Sequence, residues 1–295
     1  MAFTKILCPI DFSAGSKQAL RAATGLARTT GAELLVVHAW HIPAIAFAPE
    51  APLSPAVVQG LVDESQRALD AAVADALAGG AQRVRGKLRS GVPWRCIVDE
   101  LEAEASDVCV IGTHGRTGLA RVLLGSVATQ VVRHAPCAVL VVRPDGESAP
   151  FRHALVPTDF SPSAVHALDL ATALVAPGGA ITLLHVIEVP VSYAGEVTIA
   201  DFARDLDQRA AAAVEREAAR IAGPTVAVRT RIGYPGAQTL AALDDDRTID
   251  LVVMGSHGRT GIARALLGSV AEKVVRHARC PVLVARDPTT RAGTP

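Results

Sequence analysis

The 295 residues predict a duplicated α/β protein: two tandem, doubly wound open sheets of five mostly parallel strands each, in the Rossmann-like order 3-2-1-4-5. Three observations carry that expectation. The chain repeats itself, each copy alternates short apolar runs with stretches of helical period, and the apolar runs lack the in–out alternation of a sheet with one wet face.

The repeat is direct. KILCPIDFS at Lys5–Ser13 returns as HALVPTDFS at His153–Ser161, and ELLVVHAW at Glu33–Trp40 returns as AITLLHVI at Ala180–Ile187. The longest echo sets Val110–Arg143 against Val253–Arg286, with 25 of 34 positions identical. The offset falls from 148 at Asp11/Asp159 to 143 at Gly112/Gly255, so the second copy is shorter in between. The difference is expected after the second strand, where the prolines of residues 41–60 read as a loop. RPDGESAPFR at Arg143–Arg152 is the natural boundary, giving domains 1–146 and 150–288, with the tail Pro288–Pro295 expected to be disordered.

Within the first copy the strands are expected at Ile6–Pro9, Leu34–Ala39, Arg83–Leu88, Val108–Ile111 and Ala138–Val142. In the second they fall at Ala154–Pro157, Ile181–Val186, Val226–Ile232, Leu251–Met254 and Val282–Ala285. Helical spacing places Leu168, Ala171, Thr172 and Val175 on one face, and Leu69, Val73, Ala76 and Leu77 on another. Ser161 before Pro162 reads as a helix N-cap with proline at the first helical position.

Composition narrows the function classes. The 29 basic and 29 acidic residues cancel, which leaves no overall field to attract nucleic-acid phosphates or an anionic membrane. Leu34–Pro49, a long stretch without charge, carries two histidines and two prolines and does not read as a membrane span. Five cysteines, an odd number with no C-x-x-C, read as buried reduced thiols. Asp11 interrupts the first apolar stretch too early for a signal peptide, so a cytoplasmic location is expected.

An open parallel sheet binds ligands beyond the carboxyl ends of its strands, where the strand order reverses. The densest motifs fall at those two ends: Pro9-Ile10-Asp11 with Gly112-Thr113-His114-Gly115, and Pro157-Thr158-Asp159 with Gly255-Ser256-His257-Gly258. After nine intervening residues come Gly125-Ser126 and Gly268-Ser269, each just before a helical stretch. Glycine after a strand admits a ligand to the backbone, and free N–H groups at a helix start suit phosphate. Phosphates would then lie over the loop, with a nucleoside toward the first and second strands. Simpler readings stand beside this one: Asp11 as a helix cap, and Ser269–Glu272 as a capping box.

Gly-x-x-Gly, nine residues, then Gly-Ser, with Pro-x-Asp after the first strand, resembles the nucleotide-binding branch of the universal stress protein family. The resemblance spans nearly the whole chain as two tandem domains. It implies an ATP pocket, normally with Mg2+, in each half. Pro9, Asp11 and Ala39 would take the adenosine end beside Ile111 and Gly112, while Gly115, Gly125, Ser126 and Val127 hold ribose and phosphates. The second set is Pro157, Asp159, Val186, Met254, Gly255, Gly258, Gly268, Ser269 and Val270. Ala39 departs from the valine usual there, which Val186 keeps; the lost apolar surface would weaken the first site modestly. The resemblance also implies that the fifth-strand edges pair between the halves as an internal pseudo-dimer, and leaves a homodimer of chains open.

Competing readings are thinner. No H-E-x-x-H or Cys/His ligand pair marks a metal site, and His38 and His185, at strand ends, read as satisfied core histidines. His114, His257, Arg116 and Arg259 lie in or beside the glycine loops, facing phosphate or solvent. There is no Walker motif, nucleophile elbow or kinase set, and no lysine in either glycine loop. The leading expectation is therefore an ATP-binding regulator of stress physiology, whose nucleotide state controls conformation, assembly or partners. A slow ATPase or phosphotransferase, and an interaction module indifferent to nucleotide, are the alternatives.

Overall fold

A computed structural model describes residues 3–40, 54–113, 124–144, 149–188, 212–258 and 267–286. The chain divides into two compact units, Ala2–Ala149 and Pro150–Pro295.

The N-terminal unit runs β1 (Lys5–Ile10), α1 (Ala14–Thr30), β2 (Glu33–Trp40), α2 (Pro55–Ala78), β3 (Val84–Ser90), α3 (Pro93–Ala103), β4 (Val108–Gly112), α4 (Ser126–His134) and β5 (Ala138–Val142). Its strands lie in the order β3-β2-β1-β4-β5, and every pair is parallel. The C-terminal unit repeats this with β6 (Phe151–Thr158), α5 (Pro162–Leu174), β7 (Val175–Ile187), a helix α6 at 212–218, β8 (Thr225–Ile232), α7 (Pro235–Asp245), β9 (Leu251–Gly255), α8 (Ser269–His277) and β10 (Val282–Ala285). Its order, β8-β7-β6-β9-β10, is the same 3-2-1-4-5 and again all parallel. Right-handed crossovers put the first two helices of each unit on one face and the last two on the other. All five residues of β5 and all four of β10 are buried, which is why those runs are apolar throughout.

The strand order matters for function because the chain leaves β1 in one direction and β4 in the other. A crevice opens between their carboxyl ends, and the register Ile6↔Val108 and Leu7↔Cys109 holds the two strands side by side beneath it. The same crevice forms above β6 and β9, through Ala154↔Leu251 and Leu155↔Val252.

Three expectations change. Residues 55–60 are helical rather than loop, because Pro55 sits at the first helical position behind the N-cap Ser54, where its missing N–H costs nothing. The remainder of that stretch, 41–53, and the tail Pro288–Pro295 lie outside the described residues. Leu77 does not share the buried face of α2: it is exposed, and Leu69, Ala72 and Ala76 face inward. Val175 leaves the helix and opens β7, which is bulged where residues 176–179 depart from the register with β6. The five cysteines are all buried, and burial pushes the Cys8 thiol well up. Among the described residues no helix is long and apolar enough to cross a membrane.

Candidate functional site

Each crevice begins with a turn that the backbone does not adopt cheaply. Phe12 follows Asp11 at φ 66°, and Phe160 follows Asp159 at φ 64°; both are non-glycine residues in the left-handed region. Such a conformation persists only where the surroundings fix it. Asp11 Oδ1 accepts the Ser13 N–H at 3.1 Å and the Ser13 hydroxyl at 2.6 Å. Asp159 Oδ1 accepts the Ser161 N–H at 3.0 Å. Each phenylalanine ring then packs at a tilt against the histidine near the end of the neighbouring strand, Phe12 against His38 at 4.5 Å and Phe160 against His185 at 4.7 Å. The histidines are satisfied in turn, His38 Nδ1 against the Ile10 carbonyl at 2.7 Å and His185 Nδ1 against that of Thr158 at 2.8 Å.

Asp11 is therefore not the helix cap. Ser13 caps α1 by accepting the Ser16 N–H, Ser161 caps α5 by accepting the Ala164 N–H, and the two aspartates brace those serines. The phenylalanine turn could have been found in sequence: Asp-Phe-Ser recurs intact in both copies, with the Asp-x-Ser spacing of a side-chain-closed turn.

The other wall is the loop after β4 and β9. Thr113 and Ser256, both buried, extend the sheet through N–H bonds to the Val142 and Ala285 carbonyls at 2.9 Å. The chain returns at Gly125, whose N–H reaches the Thr113 carbonyl at 2.7 Å, and at Gly268, whose N–H reaches that of Ser256 at 2.9 Å. Residues 114–123 and 259–266 are outside the described set, so Gly115, His114, Arg116 and Arg259 have no place in this description.

Gly125 and Gly268 are the N-caps of α4 and α8, and neither helix has a side-chain cap bond. The capping-box reading of Ser269 fails: Ser269 is the first helical residue, and Glu272 turns to Arg276 at 3.0 Å. Ser126 and Ser269 are exposed, Val127 and Val270 half-buried. These helix starts contrast with α1 and α5, where a serine side chain accepts one of the free N–H groups, and with α3 and α7, where proline removes one. Free amides at the positive end of a helix dipole suit an anion, and a polyphosphate fits that donor set. Among the described residues there is no group of three His, Cys, Asp or Glu that could hold a metal ion.

Two glycines of the motifs also have a packing role. A β-carbon on Gly112 would stand 2.7 Å from the Gly15 carbonyl, and one on Gly255 would stand 2.6 Å from Ser163 Oγ. Each glycine serves the close approach of its strand end to the opening turn of α1 or α5. Gly258 does face the crevice: its β-carbon would stand 2.8 Å from Asp159 Oδ2. That short separation brings the glycine loop and the first-strand aspartate together in the C-terminal unit. Pro9 is buried and Pro157 half-buried; Ala39 and Val186 are half-buried at the ends of β2 and β7. Ile111 and Met254 are 5% and 4% exposed, which leaves chiefly their backbone to a ligand.

The fold and these two cradles define a duplicated doubly wound α/β protein with an anion-suited helix start at each topological switch point. The sequence pattern of the Universal stress protein family matches residues 2–143 and again 150–286, and the chain belongs to that family. A universal stress protein of Mycolicibacterium smegmatis is 30% identical over 296 residues, covering 95% of this chain and 96% of its own. One from Mycobacterium tuberculosis is 29% identical over 299 residues, with 97% of each chain covered. The crystal structure of a universal stress protein from Archaeoglobus fulgidus superposes with TM-score 0.71 at 22% identity, over 96% of this chain and 98% of that one, and so shares the fold.

Proposed function

We propose that each unit binds one adenine nucleotide and that occupancy of the two pockets regulates the protein's conformation, assembly or partners in a cytoplasmic stress response. The observation that carries this is the pair of uncapped helix starts at Gly125 and Gly268, set at the carboxyl ends of β4 and β9. The triphosphate would lie on the amides of Ser126, Val127, Ser269 and Val270, with Gly115 and Gly258 along its path. The nucleoside would reach across to Pro9, Asp11 and Ala39 beside Ile111 and Gly112, and to Pro157, Asp159 and Val186 beside Met254 and Gly255. Mg2+, arriving with the nucleotide, would neutralise phosphate charge.

Mass spectrometry of the ligand released from freshly purified protein, with equilibrium dialysis against millimolar ATP and Mg2+, tests the proposal. Two equivalents of adenine nucleotide per chain support it. A protein that takes up none under those conditions overturns it.

A further inference from the structure

The two halves hold their strained turns by different means, and the difference points to a residue outside the glycine motifs. In the N-terminal unit Ser16 Oγ, on α1, accepts the Asp11 N–H at 3.3 Å. The C-terminal unit has Ala164 at that position and cannot do this; where the first copy has Ile10, it has Thr158. Thr158 Oγ1 accepts the Phe160 N–H at 3.1 Å and donates its own proton to Glu217 Oε2 at 3.2 Å. Glu217 belongs to α6, and it is only 7% exposed; its second oxygen, Oε1, is buried without a hydrogen-bond partner among the described residues. A buried carboxyl left half-satisfied is costly, and its retention calls for a purpose beyond packing.

We propose that Glu217 is a positioning residue of the C-terminal site: through Thr158 it ties helix α6 to the Asp159–Ser161 turn, so that ligand affinity at this site, but not at its N-terminal counterpart, depends on α6 being docked. The inference rests on the nucleotide reading only for the ligand; the tie itself is a property of the free protein.

The tie has a pH signature. The groups that act on Glu217 are Thr158 and Asp159 at the end of β6, His185 on β7, and Arg220 just past α6. Burial raises the Glu217 carboxyl above its ordinary range and the Asp159 carboxylate adds to this, against the pull of Thr158, Arg220 and His185. A group raised in the docked state stabilises docking fully below its ordinary range, and that stabilisation is lost as pH rises through the raised value. Docking is therefore tightest on the acid side.

The full-length chain tests this by residue-resolved amide exchange and by titration with ATP and Mg2+, in the wild type, Thr158→Val, Thr158→Ser and Glu217→Gln. In the wild type, the protection factor of the Phe160 N–H should fall several-fold from about pH 5 to about pH 8. Thr158→Val should lower that protection roughly tenfold throughout and weaken one of two ATP sites; Thr158→Ser, which keeps the hydroxyl, should restore both. Glu217→Gln keeps an acceptor for Thr158 and should remove the pH trend. Unchanged Phe160 protection in Thr158→Val, or a wild-type pH trend in Glu217→Gln, overturns the tie. Altered protection with both ATP affinities unchanged overturns the positioning role. If no ATP binds at either site the nucleotide reading falls, and the Phe160 protection then decides the tie alone.

Discussion

A β-carbon on Gly112 would stand 2.7 Å from both the carbonyl carbon and the oxygen of Gly15, so the end of β4 and the opening turn of α1 meet backbone to backbone. Neither partner has a flexible side chain to yield. Gly112→Ala should therefore destabilise the N-terminal unit by about 1–3 kcal/mol, the ordinary cost of overpacking. Gly255→Ala should cost less, because its closest contact is the Ser163 hydroxyl, which can rotate at the expense of its 2.6 Å bond to the His257 carbonyl. Urea denaturation of the two variants checks the order; equal midpoints would show that both strand ends simply shift.

That contact also shows where sequence reading stops. The strands were legible because their apolar runs recur in both copies, and the crevice followed because duplicated motifs stood at the ends of the first and fourth strands. The partner of Gly112 was not legible. Gly15 lies far away in the chain, and a glycine needed for packing looks the same as one needed for a ligand. Glu217 was missed for a related reason, since an acid on a charged helical stretch reads as solvated until the fold turns it inward. Leu77 shows the opposite, because helical spacing alone places it on a face of α2 wider than the one that packs inward.

His257 should make the C-terminal unit sensitive to acid. Its Nε2 is buried without a partner among the described residues, while Nδ1 lies 3.0 Å from Ser256 Oγ. Burial, and then the Arg286 guanidinium, hold the imidazole below its ordinary range. A base lowered in the folded state contributes stability above its ordinary range and loses it as pH falls through the lowered value. The urea midpoint should accordingly decline between about pH 7 and about pH 5, and His257→Gln should flatten part of that decline. An identical slope in the variant would assign the acid sensitivity elsewhere.

Ala39 and Val186 occupy matching half-buried positions at the ends of β2 and β7, one of them two carbons smaller. If a purine rests there, Ala39→Val should tighten the N-terminal site roughly threefold to tenfold, at ~0.8 kcal/mol for each fully buried carbon, less for partial burial. Val186→Ala should weaken the C-terminal site by a similar factor. Titrations that leave both affinities in place would move the base away from these strand ends.

The sharpest separation of anion binding from mere helix capping comes from Ser126. It is exposed at the first position of α4, where the N-cap Gly125 has no side chain to satisfy the first amides of the helix. An aspartate at this place puts a negative charge at the positive end of the helix. In the free protein Ser126→Asp should be stabilising by about 0.3–1 kcal/mol at low ionic strength. The same carboxylate would repel a phosphate on those amides, so ATP should bind the N-terminal site at least ~10-fold more weakly, a loss of about 1.4 kcal/mol. Ser126→Asn, neutral and nearly the same shape, controls for size and should spare most of the affinity. Only an anion on the helix start makes stability rise while affinity falls. Thermal melts of the free protein and ATP titrations of both variants measure the two quantities, and a rise in stability with affinity untouched would leave Gly125 and Ser126 a structural cap.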